Sequence, residues 1–401
     1  MSLIVQKYGG TSVATPERIL AVADRIAAEK AKGNSLVVVV SAMGRTTDEL
    51  IELASKVSRN PPHREMDMLL TTGERVSMAL LSMALSDRGV SALSLTGSQS
   101  GIITDSSHRR ARIKRILGDR VRAALLEGKV AIVAGFQGVS ESKEVTTLGR
   151  GGSDTTAVAL AAVLGASVCE IYTDVDGVYS ADPRVVSDAK KLDKIPHDLM
   201  VELATRGAGV LHPRSVELAK QFGVALCVKN SLKSDSGTDV VSPKEMADSG
   251  MEEFKVTGVT SDREKFKVSL NLARPSAHQA IWDAAAQAHL SMLGVVLSAS
   301  QVSFFVEKEA ETEWSKILEQ FTRDGFLASY ALETNLSPVS VVGDRFSQDG
   351  AALSRVMTVL EKAHISVSFA TASALGMTVA VAESHLDDAV LVLHREFLGG
   401  N

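Results

Sequence analysis

The stretch Leu36-Val37-Val38-Val39-Val40 is apolar without a break and runs straight into the small-residue loop Ser41-Ala42-Met43-Gly44. A strand with no polar alternation is one buried on both faces, which belongs in a parallel sheet covered by helices. A helix is predicted from about Thr47, with Asp48 and Glu49 in its first turn, where acidic groups favour the positive helix end. The same order of parts occurs once before. Residues 3–7 read as a strand, Tyr8-Gly9-Gly10-Thr11-Ser12 as a loop, and residues 16–32 as a helix capped by Thr15 with Pro16 at its first position. Two such units in close succession predict an α/β fold: a largely parallel sheet flanked by helices, with ligand loops at the strand carboxyl ends.

The pattern continues. Strands are expected at 91–95, 130–135, 144–147, 168–173 and 225–228, with a short edge strand at 238–241. Helices are expected at 64–85 with a break at Thr71-Thr72-Gly73-Glu74, then at 109–126, 155–164, 199–205 and 215–222. The 109–126 helix would be basic and amphipathic, which reads as a solvated face rather than a nucleic-acid surface. Residues 231–250 are rich in Ser, Lys, Asp and Gly, and a domain boundary belongs near 245–255. Beyond it the chain repeats itself. Gln287-Ala288-His289-Leu290-Ser291 matches Lys362-Ala363-His364-Ile365-Ser366, and 302–318 matches 377–393 in pattern. Each copy reads strand, helix, strand, strand, helix, so two copies of one small α+β module are predicted.

Composition narrows the class. With 43 basic and 48 acidic residues the net charge is −5, which argues against a dedicated nucleic-acid surface. No stretch approaches the apolar length of a membrane span, and no signal peptide opens the chain. Cys169 and Cys227, the two cysteines, sit in apolar runs without CxxC spacing or a neighbouring His. They read as reduced buried thiols of a cytoplasmic protein, not as a disulfide or a metal site.

The densest glycine cluster is Thr147-Leu148-Gly149-Arg150-Gly151-Gly152-Ser153-Asp154-Thr155-Thr156. Ser153 or Asp154 can cap a helix starting at about Thr155. The positive end of that helix would face a ligand in the loop, and Arg150 offers a fork for carboxylate or phosphate. A tight turn with a solvated arginine is the alternative at this point. No GxxxxGK[ST] occurs and no GxGxxG opens the first helix, so a P-loop NTPase and a dinucleotide dehydrogenase are both demoted. What remains is a set of glycine loops, Lys7, Arg150, Arg184 and acidic side chains, with no obvious catalytic histidine; His212 reads as structural. Phosphoryl transfer to an acid needs cations and N–H groups around phosphate and a clamp on the acceptor, and no general base when the acceptor is already a carboxylate.

Lys7–Ser12, Ser41–Gly44, Thr71–Glu74, Gly149–Thr156 and Thr173–Tyr179 together resemble the motif set of the bacterial aspartokinases, in the amino-acid-kinase fold. The order of a kinase domain and two ACT modules extends the resemblance over the whole chain, in the form without a fused homoserine dehydrogenase. It implies a catalytic domain over 1–245 and ACT modules over 255–330 and 331–401, with a strand near 255–262 assignable to the second. It also implies roles. Lys7 would neutralise the transferring phosphate, Gly9 and Gly10 would offer it backbone N–H groups, and Ser41 would lie near the phosphates. Thr47 would lie near aspartate, Glu74 would pair with its α-ammonium, and Arg150 would grip its α-carboxylate with Ser153 beside it. Asp154 would order the phosphate and Mg²⁺ region. Thr173, Asp174, Tyr179 and Arg184 would bind ATP. The implied reaction converts MgATP and L-aspartate to ADP and 4-phospho-L-aspartate, the entry to lysine, threonine and methionine.

Departures from the family pattern set two further expectations. Gly209 stands where a lysine usually precedes the Val210-Leu211-His212-Pro213 run, so weaker ATP binding is expected, with Arg206 or Lys229 as candidate substitutes. The effector turns of the ACT modules are depleted: Ala273-Arg274-Pro275-Ser276 and Ser291 in one copy, Ser347-Gln348-Asp349-Gly350 and Ser366 in the other. Altered feedback by lysine or threonine is one reading; modules kept chiefly to build a homodimer is the preferred one. A separate C-terminal ACT subunit starting at Met246 or Met251 is a weaker expectation. Two other functions compete: a kinase for another acid or for UMP, which Glu74 disfavours, and a sensor on a kinase scaffold, which Lys7 and Arg150 disfavour.

Overall fold

In a computed structural model, which describes residues 2–246, 255–288, 290–344, 346–348 and 350–399, β1 (Leu3–Tyr8) and β2 (Ser35–Val40) lie side by side in parallel. Every residue of β2 after Ser35 is buried, as its unbroken apolar run requires. Then follow β3 (Ala92–Leu95), β4 (Ile102–Thr104), β5 (Ile113–Ile116), β6 (Val130–Ala134), β7 (Gln137–Ser140), β8 (Val145–Thr147), β9 (Val168–Thr173), β10 (Lys194–Pro196), β11 (Leu226–Asn230) and β12 (Thr238–Val241). The helices between them are α1 (Pro16–Ala31), α2 (Thr46–Val57), α3 (His63–Leu70), α4 (Thr72–Ser86), α5 (Asp119–Leu126), α6 (Gly152–Leu164), α7 (His197–Thr205) and α8 (Pro213–Phe222). Eight strands form one sheet in the order β10-β12-β11-β9-β1-β2-β6-β3, parallel except for the β11–β12 pair. A second small sheet runs β5-β4-β7-β8.

Four sequence expectations need correction. Residues 109–126 are not one helix: Arg109 and Gly118 both take positive φ, at 68° and 71°, and β5 lies between them. The strand at 238–241 is not an edge strand, because β10, too short to show a period, lies outside it. Strands β4 and β7 were not expected. Finally, α6 begins at Gly152, so Ser153 and Asp154 lie in its first turn and do not cap it. Its N-cap is Gly151, at φ 67°, with no capping side chain.

The chain divides into two compact units. The first comprises Met1–Val178, Lys191–Val201 and Gly209–Asp248; the second Tyr179–Lys190, Glu202–Ala208 and Ser249–Asn401. Residues 247–254, where the sequence sets the boundary, lie outside the described residues, as do Met251, His289 and Asp349.

The second unit adds β13 (Val256–Ser261), β14 (Lys265–Leu272), α9 (Ala277–Gln287), β15 (Leu293–Leu297), β16 (Gln301–Glu307), α10 (Glu311–Arg323), β17 (Leu327–Glu333), β18 (Leu336–Gly343), α11 (Gly350–Lys362), β19 (Phe369–Ser373), β20 (Gly376–Ala382) and α12 (Leu386–Leu398). The repeat is real: α9 and α11 end at the matched positions Gln287 and Lys362. Its sheets run β15-β16-β14-β17 and β19-β20-β18-β13, all antiparallel. The fourth strand of the first sheet is its own β17. The fourth strand of the second is β13, which precedes the whole first module. Segment 179–190 packs Ala181 and Val186 into the core of the second sheet and its helices. Ser180 Oγ and His394 Nε2 hydrogen-bond there at 2.9 Å. Arg206 bonds Thr378, Ser373 and Glu202. No helix of the described residues is long and apolar enough to cross a membrane.

Candidate active site

The carboxyl ends of β9, β1, β2 and β6 are neighbours in the sheet, so the loops that follow them converge. Strand alternation sorts the side chains of β1. Gln6 and Tyr8 face α1, where Gln6 donates to Glu170 at 2.9 Å and Tyr8 stacks on Tyr172 at 4.7 Å. Lys7 faces the other way, toward α6. Its Nζ is 2.6 Å from Asp154 Oδ1, and each side chain is 12% exposed. The pair joins the first glycine loop to the first turn of α6. Ser153 lies beside it against Gly135, where an added Cβ would meet the Ser153 side chain at 2.8 Å.

The loops approach one another backbone to backbone. The Gly44 N–H donates to Gly10 O at 3.0 Å, and Ser41 N–H to Tyr8 O at 3.1 Å. Gly73, in the first turn of α4, touches Ala42: a Cβ there would stand 2.8 Å from the alanine methyl. Only glycine allows this approach, and the next residue is Glu74. Its carboxylate is 3% exposed, and its Oε2 has no hydrogen-bond partner among the described residues. Burial pushes its pKa up to about 7, opposed by hydrogen bonds from its own N–H and that of Ala42. Thr47 is half-buried in the first turn of α2.

Arg150 is exposed on the loop from β8 to α6. The ring of His212 fills the space beside Gly151, where a Cβ would lie 2.1 Å from its Cγ. His212 also caps α8, its Nδ1 accepting from the Arg214 N–H at 3.3 Å.

At the other end of the site Thr173 closes β9 and donates to Asp174 at 3.1 Å. Asp174 is exposed, while Asp176 is held by Asn230 at 2.6 Å and Lys233 at 2.7 Å. The Gly9 N–H is donated to Tyr172 O at 3.2 Å. Thus Lys7, Gly9, Gly10, Ser41, Glu74, Ser153, Asp154 and Thr173 are brought together at the sheet's carboxyl edge. Tyr179 and Arg184 belong to the second unit, where Arg184 forks onto Asp182 at 2.7 Å.

Neither candidate substitute for a lysine at 209 is spare. Lys229 binds Glu170 at 2.5 Å, and Arg206 is engaged in the second unit. Both thiols are buried and free; burial pushes each upward, Cys227 to about 12. Sequence reading passed over Asp67, fully buried on α3, which takes bonds from His108, the Arg109 N–H and Thr147. The signal was present: one acidic residue within Met66-Asp67-Met68-Leu69-Leu70.

The amino acid kinase family model matches residues 2–230. The aspartokinase of Corynebacterium efficiens is 44% identical over 412 residues, covering 100% of this chain and 97% of that one. That of Mycobacterium tuberculosis is 42% identical with the same coverage. Among solved structures, an aspartate kinase from Synechocystis is 41% identical, with a TM-score of 0.56 over 100% of this chain and 70% of that one. Aspartokinase III of E. coli, in complex with aspartate and ADP, shares the fold with a TM-score of 0.86 at 23% identity, over 99% and 100% of the two chains.

Proposed function

The chain belongs to the aspartokinases of the amino acid kinase family, and on that premise we propose that it transfers the γ-phosphoryl group of ATP to the side-chain carboxylate of L-aspartate. The products are ADP and 4-phospho-L-aspartate, which opens the route to lysine, threonine and methionine. The observation that carries the reading is Glu74, a buried carboxylate with one oxygen unpartnered. Such a group calls for a cation, and the α-ammonium of a free amino acid supplies one. An acetylated amine or UMP would not.

Arg150 forks onto the acceptor's α-carboxylate, with Ser153 beside it and Thr47 on the α2 side. The acceptor oxygen is already anionic, so no general base is needed. Lys7 offsets charge on the transferring phosphoryl group, and the positive ends of α4 and α6 add to it. Asp154 holds Lys7 in place at 2.6 Å. Asp154 would help hold the phosphate and Mg²⁺ region of bound MgATP, where the metal would supply positive charge. Gly10 and Ser41 line the phosphate side, with Gly9 shaping the turn. Thr173, Asp174, Tyr179 and Arg184 serve the nucleotide. The two ACT modules pair with those of a second copy to form a homodimer.

A hydroxylamine trap with MgATP and a panel of acids tests the reaction. Hydroxamate is expected from aspartate; its formation from glutamate alone would overturn the assignment. Arg150→Ala should raise KM for aspartate at least about tenfold, as expected for loss of a charge-assisted fork, and leave KM for ATP nearly unchanged.

A further inference from the structure

The loop that carries Arg150 is held from behind. Thr147, the last residue of β8, is buried, and its hydroxyl donates to Asp67 Oδ1 at 2.6 Å. The same Asp67 carboxylate takes the Arg109 N–H at 3.1 Å and His108 Nδ1 at 2.7 Å. One residue on, Leu148 O accepts from Arg214 Nη1 at 2.9 Å, while Arg214 Nη2 donates to Ala111 O at 3.0 Å. The Ala111 N–H in turn donates to Thr147 O at 2.9 Å. Segment 105–112 and the two residues at the root of the loop are therefore laced into one body. Charged ties reach it from α3 and from α8. Arg214 is half-buried and Asp67 fully so, and bonds from such groups are short and directional.

We propose that Asp67 and Arg214 are positioning residues for the acceptor: from two helices they fix the backbone at Thr147 and Leu148, and through it the place of the Arg150 guanidinium. The proposal rests on the reading of Arg150 as the α-carboxylate clamp. A bidentate fork tolerates little displacement, so loosening its root weakens acceptor binding selectively. The glycine loop after β1 and the segment after β9 are not part of this lacing, so nucleotide binding is left alone.

The test compares Thr147→Val, which removes the hydroxyl but keeps the shape, with Thr147→Ser, which keeps the hydroxyl. Arg214→Lys, which keeps the charge but removes the rigid fork that spans the Leu148 and Ala111 carbonyls, is the second probe, and Arg150→Ala is the reference. Each full-length variant is assayed for both Michaelis constants, kcat and melting temperature. Thr147→Val and Arg214→Lys are expected to raise KM for aspartate on the order of tenfold, with KM for ATP within about twofold and Thr147→Ser near the parent. If Arg150→Ala raises KM for aspartate while both probes leave it at the parent value, the proposal is overturned and the clamp stands. A lower kcat and melting temperature with both Michaelis constants unmoved would show a merely structural role and overturn it too. If Arg150→Ala itself leaves KM for aspartate unchanged, the clamp reading fails and the proposal falls with it.

Discussion

Glu74 gives the site a pH dependence whose sign can be worked out. Its pKa in the fold, about 7, is raised above the ordinary value of 4.5. The protonated form is favoured by folding, so its contribution to stability is full below 4.5 and lost as pH rises through 7. At pH 8 the loss is on the order of 3 kcal/mol. Glu74→Gln should therefore raise the melting temperature at pH 8. Binding an ammonium needs the ionised form, so KM for aspartate should rise roughly tenfold between pH 8 and 6. A flat profile over that range would remove Glu74 from the acceptor site. Gly209 offers a second test. A Cβ added there meets nothing within 4 Å, so Gly209→Lys is sterically free, and KM for ATP should fall; an unchanged value would show that the missing charge is immaterial. Much of this site was legible in the sequence because its residues sit in loops whose composition has no structural excuse. Arg150 and the glycine loops are of that kind, and Lys7 sits at the end of β1 where the first of them begins. Asp67 stood out as the one acid in an apolar run, but its role was not legible, because its partners come from positions 108, 109 and 147, which no local pattern connects.

At the scale of elements, the start of α6 decides where Arg150 stands. Gly151 is left-handed and the His212 ring occupies its Cβ position. Gly151→Ala should cost about 2–4 kcal/mol by urea unfolding, from backbone strain plus displacement of the ring. Gly223, also left-handed at φ 65° but with open space around it, is the control; Gly223→Ala should cost only about 1 kcal/mol. Equal costs would mean that the ring yields freely. The strands of the main sheet were readable because an apolar run without alternation has one physical meaning. The stretch 109–126 was misread because its basic residues suggested a helical face. The left-handed Arg109, an uncommon conformation for a residue with a side chain, carries no signature in sequence.

For the whole molecule, the second unit has its own acid sensitivity. His394 is buried against Ser180, and burial holds its pKa below the ordinary 6.5. Its contribution to stability is present above 6.5 and lost as pH falls through the lower, folded value, the opposite sense to Glu74. Between pH 7.5 and 5.5 the melting temperature of the parent should fall relative to that of His394→Gln, a difference in which the Glu74 contribution cancels; an unchanged difference would clear His394. The repeat foretold two modules, and the strand expected near 255–262 and assignable to the second is β13, which pairs with β18; that interleaved assignment came from the family resemblance, since by composition alone β13 and β17 are equally plausible fourth strands. That interleaving orders events during synthesis. The first module, β14 to β17, has all its strands in hand once residue 333 has left the ribosome. The strand β13 leaves earlier but waits for β18, and segment 179–190 waits longer still, for α12 at the end of the chain. Contacts so distant in sequence form late. A nascent chain that has emerged from the ribosome as far as residue 335 would carry a finished module beside a bare, unpaired strand, the stage at which a chaperone has most to protect.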